Sequence, residues 1–180
     1  MSRYAAFLRG MNVGGHRLTN EELRAHFKAL GFVEVATVRA SGNVVFAATG
    51  ESADAVRARI EDGLASRLGY AVPTFVRDDA HVRAIAAHQP FPRARVEASA
   101  GKLQVSLLGA SPTPAVRKKV LSLASEEDAL AFAGHELYWL PSGGMLESAL
   151  DMAMIERLLG PSTMRTKGTI ELIASKHCAE

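Results

Sequence analysis

The stretch RGMNVGGHR, residues 9 to 17, carries the side chains best suited to binding an anion. Arg9, His16 and Arg17 can donate charge-assisted hydrogen bonds to a phosphate or a carboxylate. Gly14 and Gly15 allow backbone N–H groups to turn toward such a ligand, as they do in loops between a strand and a helix. The pattern predicts an anion site, but the same glycines could serve only to turn the chain tightly.

The known phosphate-binding motifs do not match this stretch. Gly10 and Gly15 have the glycine spacing of G-x-x-x-x-G-K-[ST], but His16 and Arg17 stand where that motif has lysine and a magnesium-binding hydroxyl. The spacing G-x-G-x-x-G is absent as well. We therefore do not expect a standard ATPase or dinucleotide enzyme, and the sequence names no cofactor.

A second polar stretch, RASGN at residues 39 to 43, separates two β-branched runs and predicts a hairpin turn. Ser41 is not in a G-x-S-x-G nucleophile motif, because Arg39 and Asn43 occupy the glycine positions, so its hydroxyl is expected to stabilise the turn. Gly42 or Asn43 should take a positive φ angle. The amides of Asn12 and Asn43 could orient a polar ligand or bond their own turns.

Histidine and cysteine give no sign of a metal site. The six histidines include no i, i+4 pair and accompany no cysteine cluster. The single cysteine, Cys178, cannot form a disulfide within the chain and is expected to be an inert thiol on a tail, in a reducing compartment. His16 is the one candidate base near the glycines, so a transfer enzyme would have no other identifiable base.

The composition is that of one globular domain or two small ones, with 180 residues, 48% hydrophobic and 22% charged. The formal net charge of +2 is too small to predict a nucleic-acid partner, and the aromatic motif of RNA-binding sheets is missing. No apolar run reaches the roughly 18 residues of a membrane span. The N-terminus reads as a strand rather than a leader, so we expect a cytoplasmic protein without a membrane partner.

The elements that must position these residues follow the order βαββαβ. Strands are predicted at residues 3–9, 33–38, 44–48 and 71–77. Thr19 and Glu22 form a capping-box pattern at the start of the first helix, which Gly31 ends, and Ser52 caps the second helix. This order is that of a split ferredoxin-like unit.

The second half repeats the order after a short helix and a linker predicted at residues 88–101. Thr113 and Ser148 begin its helices. Its strands are expected at 102–108, in a hairpin within 129–140, and at 162–165. We predict an α+β protein of two ferredoxin-like βαββαβ units in tandem with an extra C-terminal helix, divided into domains 1–88 and 89–180.

The topology predicts which loops meet. The first and second strands of a split βαββαβ unit run in the same direction, so the loop after the first and the hairpin after the second lie at one end. We also expect the end of the fourth strand there, with Arg77 and Asp78. The residues expected to bind the ligand are Arg9, Asn12, Gly14, Gly15, Arg17, Ser41, Gly42 and Asn43.

Two motifs, LRGMNVGG at residues 8–15 and SGNVVF at 41–46, resemble those of the bacterial family known as domain of unknown function 1697. Weaker similarities are LGF at 30–32, HELYWLP at 135–141 and STMRTKGT at 162–169. The last departs from the family's T-R-N-W-N-T pattern at Thr166, Lys167 and Gly168, whereas Arg165 and Thr169 fit it. The resemblance implies paired ferredoxin-like units and brings no established activity, cofactor or catalytic residue.

Two functions remain open. In the first, the protein binds an anionic small molecule, a nucleotide or a phosphorylated metabolite, with Arg9 and Arg17 supplying charge and Asn12 and Asn43 orientation. In the second, it is a non-enzymatic module that self-associates or binds another protein, and the glycine loops are structural. RNA binding is the least supported alternative.

Overall fold

The strand that precedes the glycine-rich stretch belongs to one of two four-stranded antiparallel sheets formed by the described part of the chain. The computed structural model describes residues 1–12, 14–39 and 42–178. These residues form two compact units, one of Met1–Ala84 with the C-terminal residues from Leu172, and one of Ile85–Glu171. The domain boundary at residue 88 stays a prediction, because compactness does not show which parts fold alone.

The first unit has the predicted ferredoxin-like topology. Its elements are β1 (Ser2–Leu8), α1 (Asn20–Ala29), β2 (Val33–Thr37), β3 (Asn43–Ala48), α2 (Ala53–Leu68) and β4 (Thr74–Asp78). The strand order is β2-β3-β1-β4, and each strand is antiparallel to its neighbours. Two short helices follow along the chain, α3 (Asp79–Ala87) and α4 (Arg93–Ala98).

The second unit repeats this topology. Its elements are β5 (Gln104–Leu108), α5 (Pro114–Leu121), β6 (Asp128–Ala133), β7 (Glu136–Pro141), α6 (Met152–Leu159) and β8 (Ser162–Thr166). The order β6-β7-β5-β8 places each strand where its counterpart lies in the first sheet. A final helix, α7 (Lys167–His177), follows. The prediction of two tandem units with an extra C-terminal helix is therefore confirmed.

Local signals set the helix ends. The Thr19 hydroxyl accepts a hydrogen bond from the Glu22 N–H while the Glu22 carboxylate accepts one from the Thr19 N–H, which is the predicted capping box. Ser52 caps α2 in the same way, and Gly69 ends it with a φ of 77°. These ends were predictable because each depends on residues within one helical turn.

One predicted cap is wrong. Helix α6 begins after Asp151, whose carboxylate accepts a hydrogen bond of 2.8 Å from the Met154 N–H. Ser148, expected as the cap, instead donates its hydroxyl proton to Asp128 Oδ1 at 2.8 Å. The Ser148 oxygen also accepts a hydrogen bond of 3.0 Å from the Leu150 N–H, which lies before the helix, so Asp151 supplies the cap.

The predicted linker at residues 88–101 contains a helix, α4, that no apolar periodicity indicated. Its six residues bury no side chain, and an ion pair of 2.6 Å between Arg93 and Glu97 spans it. Helix α4 therefore lacks the apolar stripe on which helix prediction depends.

Each unit packs the two helices that connect its strands against one sheet face. In the first unit an aromatic cluster joins α1 to β3, with ring centroids 5.3 Å apart for Phe27 and Phe46 and 4.5 Å for Phe32 and Phe46. In the second unit Leu137 contacts the helices that carry Val120 and Ile155. No helix within the described residues is both long and apolar enough to cross a membrane.

Candidate functional site

The loop after β1 and the β2–β3 hairpin meet at one end of the first sheet. The Leu8 N–H donates a hydrogen bond of 2.8 Å to the Gly42 carbonyl, and the Asn20 side chain donates one of 3.1 Å to the Arg39 carbonyl. A Cβ atom at Gly42 would lie 3.2 Å from the Met11 sulfur. The convergence expected from the topology is therefore present. We call residues 10–19 the glycine loop.

The expectation about the fourth strand is wrong. Because β4 is antiparallel to β1, it begins where β1 ends, and Thr74 pairs with Leu8. Arg77 and Asp78 pair with the first half of β1, at the far end of the sheet from the glycine loop. The chain before β4 reaches the loop instead, since the Pro73 carbonyl accepts a hydrogen bond from the Arg9 N–H.

The two asparagine amides of the predicted site are engaged with their own loops. Asn12 Oδ1 accepts a hydrogen bond of 2.8 Å from the Leu18 N–H. Asn43 is 1% exposed, and its Nδ2 donates 2.9 Å to the Val38 carbonyl. Both amides therefore stabilise turns, which is the commoner use of asparagine in loops.

The glycines of the loop have backbone angles that other residues rarely adopt. The φ angles are 69° at Gly10, 64° at Gly14 and 85° at Gly15. No heavy atom lies within 4 Å of a Cβ built at Gly15, so its requirement comes from the backbone rather than from crowding. At Gly42 both the backbone angle and crowding require glycine, since φ is 71° and a Cβ would lie 3.2 Å from atoms of Leu8 and Met11. Ser41 lies outside the described residues.

A cleft of about 570 Å³ opens beside the glycine loop. It is lined by Asn12, Gly15, His16, Arg17, Leu18 and Thr19. Three of the predicted residues, Asn12, Gly15 and Arg17, therefore share one wall, whereas the other described ones, Arg9, Gly14, Gly42 and Asn43, do not line the cleft. The side chains of His16 and Arg17 are exposed, so the cleft presents hydrogen-bond donors to solvent and the positive charge of Arg17.

The N-terminus of α1 is already occupied by its own carboxylate. Glu22 accepts hydrogen bonds from the Thr19 N–H and hydroxyl, both 2.8 Å long. The backbone hydrogen bond from Thr19 lowers the pKa of Glu22 below its ordinary value. The helix end that the sequence offered to a ligand is therefore capped, and any bound anion must depend on the arginines and the loop amides.

Tyr70 is a residue of this end that the sequence analysis missed. Its hydroxyl donates a hydrogen bond of 3.2 Å to the Met11 carbonyl, and its ring stacks on His16 with centroids 4.0 Å apart. Tyr70 follows Gly69, the C-cap of α2, and belongs to no apolar pattern with helical or strand periodicity. A lone aromatic residue after a helix C-cap was the only available signal.

The altered segment 165–169 starts a helix. The Thr166 hydroxyl accepts a hydrogen bond from the Thr169 N–H, in the manner of an N-cap for α7. The Lys167 ammonium is buried and donates to the Ala86 carbonyl at 2.9 Å and to Glu171 at 3.0 Å. These contacts fix the start of α7.

Cys178 does not lie on an exposed tail. The thiol is buried, and the Cys178 carbonyl accepts a hydrogen bond of 2.8 Å from Arg83, which also pairs with Asp79. Burial raises the pKa of this thiol. Among residues 1–12, 14–39 and 42–178, no group of three His, Cys, Asp or Glu side chains could hold a metal ion.

The comparisons with known proteins agree with this fold. A solved structure of a conserved bacterial protein from Streptococcus pneumoniae superposes with a TM-score of 0.73 at 23% identity and covers 97% of each chain. At that identity the likeness shows the fold alone. No curated protein matches the chain. The family model for proteins of unknown function DUF1697 matches residues 1–138, and the chain therefore belongs to that family.

Proposed function

We propose that the protein binds an anionic small molecule, a nucleotide or a phosphorylated metabolite, at the glycine loop. The observation that carries the proposal is the charge of the cleft wall. His16 and Arg17 line the cleft, and none of the described lining residues is a carboxylate. We also propose a cytoplasmic location, which suits a chain whose one cysteine has no partner for a disulfide.

Arg17 and the glycine amides are the groups that would meet the anion. An exposed guanidinium can place two parallel N–H donors on a phosphate, and turned backbone N–H groups add further donors. Asn12 would donate through Nδ2, because its Oδ1 is held by Leu18. Arg9, at the start of the loop, would add positive charge without lining the cleft.

Gly42 and Asn43 would act indirectly. Their backbone and side-chain contacts hold the hairpin against Leu8 and Met11, so they fix the shape of the loop that bears Arg17. A substitution at either position should change loop geometry and stability together, whereas a substitution at Arg17 should change affinity alone.

The test is a titration with inorganic phosphate, ATP and a hexose phosphate, with adenosine and the free hexose as uncharged controls. A ligand at one hundred times its dissociation constant stabilises the folded state by roughly 2.7 kcal/mol. For a chain of this size that is a rise in Tm of about 5–10 °C. Calorimetry gives the dissociation constant directly.

The Arg17→Ala variant should raise the dissociation constant by roughly 10- to 100-fold, because it removes a hydrogen bond between charged groups. Lys28→Ala is the matched control, because it removes one positive charge from an exposed position at the other end of α1. If no anionic compound binds, or if both variants weaken binding equally, the proposal is wrong and the glycines serve only to turn the chain.

A further inference from the structure

Strands β2 and β6 hold the same edge position in their two sheets but differ in how that edge is protected. In β2 the pairing with β3 shifts between Val33 and Ala36, which is a β-bulge. Glu34 within it has a φ of 52° and forms an ion pair of 2.9 Å with Arg3. A bulge and a charge are the devices that prevent a sheet edge from pairing with another strand.

Strand β6 has neither device. Its six residues, DALAFA, pair with β7 from Asp128 opposite Pro141 to Ala133 opposite Glu136 without a shift. Asp128 is the one charged residue in it, and that side chain is buried with Trp139. The strand is therefore regular, uncharged on its outer side and open to pairing.

The outward backbone groups of β6 can be identified. Asp128 uses its N–H and C=O on the outer side, where both bond Ser125. Because outward and inward residues alternate in an antiparallel ladder, the backbone N–H and C=O groups of Leu130 and Phe132 also face outward, while their side chains pack against the core of the second unit. In the described part of the chain their outer N–H and C=O groups have no hydrogen-bond partner, and both side chains are partly exposed.

We propose that β6 is a self-association edge, on which the β6 strand of a second copy of this chain pairs in the antiparallel direction. With the two-fold axis at Ala131, Leu130 lies opposite the partner's Phe132, and each such pair exchanges two hydrogen bonds. Four hydrogen bonds then join the two sheets into one of eight strands. The contact is closed, because both copies use the same strand.

Charge complementarity selects a second copy in this orientation. The exposed carboxylates of Glu126 and Glu127 precede β6, and the guanidinium of Arg117 donates to the Gly134 carbonyl at 2.7 Å, in the turn that follows β6. Within the described ranges none of these three charges has an ion-pair partner. Antiparallel pairing centred on Ala131 brings Glu127 of each copy to the partner's turn, beside Arg117.

Two exposed apolar side chains shortly precede a residue that bonds the start of β6. The short 3₁₀ turn Met145–Glu147 holds Leu146 fully exposed, and Met145 is 45% exposed. Ser148, the next residue, bonds Asp128 at the beginning of β6.

The test is sedimentation velocity and light scattering of the full chain from micromolar to millimolar concentration, which should show a monomer–dimer equilibrium. In the Glu127→Lys variant the new lysine of each copy would face the partner's Arg117, so like charges would meet twice in the dimer. The dimer dissociation constant should therefore rise about tenfold. The double variant Glu127→Lys with Arg117→Glu should bring it back toward the wild-type value. Leu130→Lys should abolish the dimer.

Three controls make the result decisive. Two control variants, Val33→Lys on the bulged edge and Glu21→Lys on α1, should leave the dimer dissociation constant unchanged. Thermal unfolding of every variant serves as the third control, because it tests whether the variant is folded. A chain that stays monomeric throughout overturns the proposal, as does a dimer that resists both Glu127→Lys and Leu130→Lys. This test is independent of the anion titration, because the glycine loop and β6 belong to different units.

Discussion

The hydroxyl of Tyr70 donates a hydrogen bond to the backbone carbonyl of Met11 across 3.2 Å. The two residues are 59 positions apart, and the bond ties the glycine loop to the end of α2. The same ring lies under His16, a residue of the cleft wall. The shape of the candidate site therefore depends on a residue outside the loop.

Tyr70→Phe should loosen the glycine loop without unfolding the protein. Losing this hydrogen bond should cost about 1 kcal/mol in the free energy of unfolding, measured with urea. Amide exchange within residues 10–19 should become faster, beginning with Leu18. Tyr4→Phe is the control, because its hydroxyl also bonds a backbone carbonyl, that of Glu51, at the far end of the sheet. Equal exchange in both variants would contradict this role of Tyr70.

Gly42→Ala should destabilise the protein more than Gly50→Ala. Both glycines have a φ of 71°, so both substitutions carry the same backbone penalty of about 1 kcal/mol. Only the Gly42 substitution brings a Cβ within 3.2 Å of Leu8 and Met11, whereas the Cβ at Gly50 meets nothing within 4 Å. The difference in unfolding free energy measures the close approach of hairpin and loop. Equal losses of unfolding free energy in the two variants would show that the loop moves to accommodate the Cβ at residue 42 without cost.

Asp128→Ala should be strongly destabilising. The buried carboxylate accepts hydrogen bonds from the Trp139 indole at 2.7 Å and the Ser148 hydroxyl at 2.8 Å. Their loss leaves a buried indole N–H without a partner, which costs about 2–3 kcal/mol. Denaturant unfolding followed by the fluorescence of Trp139 measures it. Asp54→Ala, at an exposed carboxylate, should change little, and equal losses in the two variants would refute this account.

The stability due to the capping box should depend on pH. The folded-state pKa of Glu22 is lowered, so its contribution is present above the ordinary carboxyl value of 4.5 and is lost as pH falls through the folded value. The Tm of Glu22→Gln should lie below that of the wild type at pH 7, and the gap should close in acid. A gap that stays constant would show that the charge of Glu22 does not matter. Glu21→Gln, which leaves the box intact, serves as the control.

The secondary structure was predictable where the deciding contact is local. Thr19 with Glu22, Ser52 with Ala55 and Thr113 with Val116 each join residues three apart, and all three caps were correct. The cap predicted at Ser148 was wrong because Asp151 caps α6, while the Ser148 hydroxyl is held before the helix by Asp128, twenty residues away in the chain. Cys178 failed for the same kind of reason, since Arg83 holds a residue that the sequence placed on a tail.

The candidate site was predictable in its position and not in its chemistry. Strand direction follows from element order, so the meeting of the glycine loop with the hairpin needed no coordinates. The direction of β4 follows from the same order and was nevertheless assigned wrongly, which misplaced Arg77 and Asp78. Whether Asn12 and Asn43 face a ligand or their own turns depends on distances of a few ångströms, which spacing in the sequence does not specify.

The sequence by itself determined the tandem βαββαβ order, the caps at Thr19, Ser52 and Thr113, and the end of the first sheet at which the glycines lie, because these depend on periodicity, element order and contacts within a turn. Only the tertiary structure decided that Asp128 holds the Ser148 hydroxyl, that Tyr70 supports the glycine loop, and that β2 is bulged while β6 is regular. Each of these features depends on which side chains and backbone groups, distant in the sequence, meet in the folded chain. That competition among distant residues is settled by packing and hydrogen bonding in the folded chain.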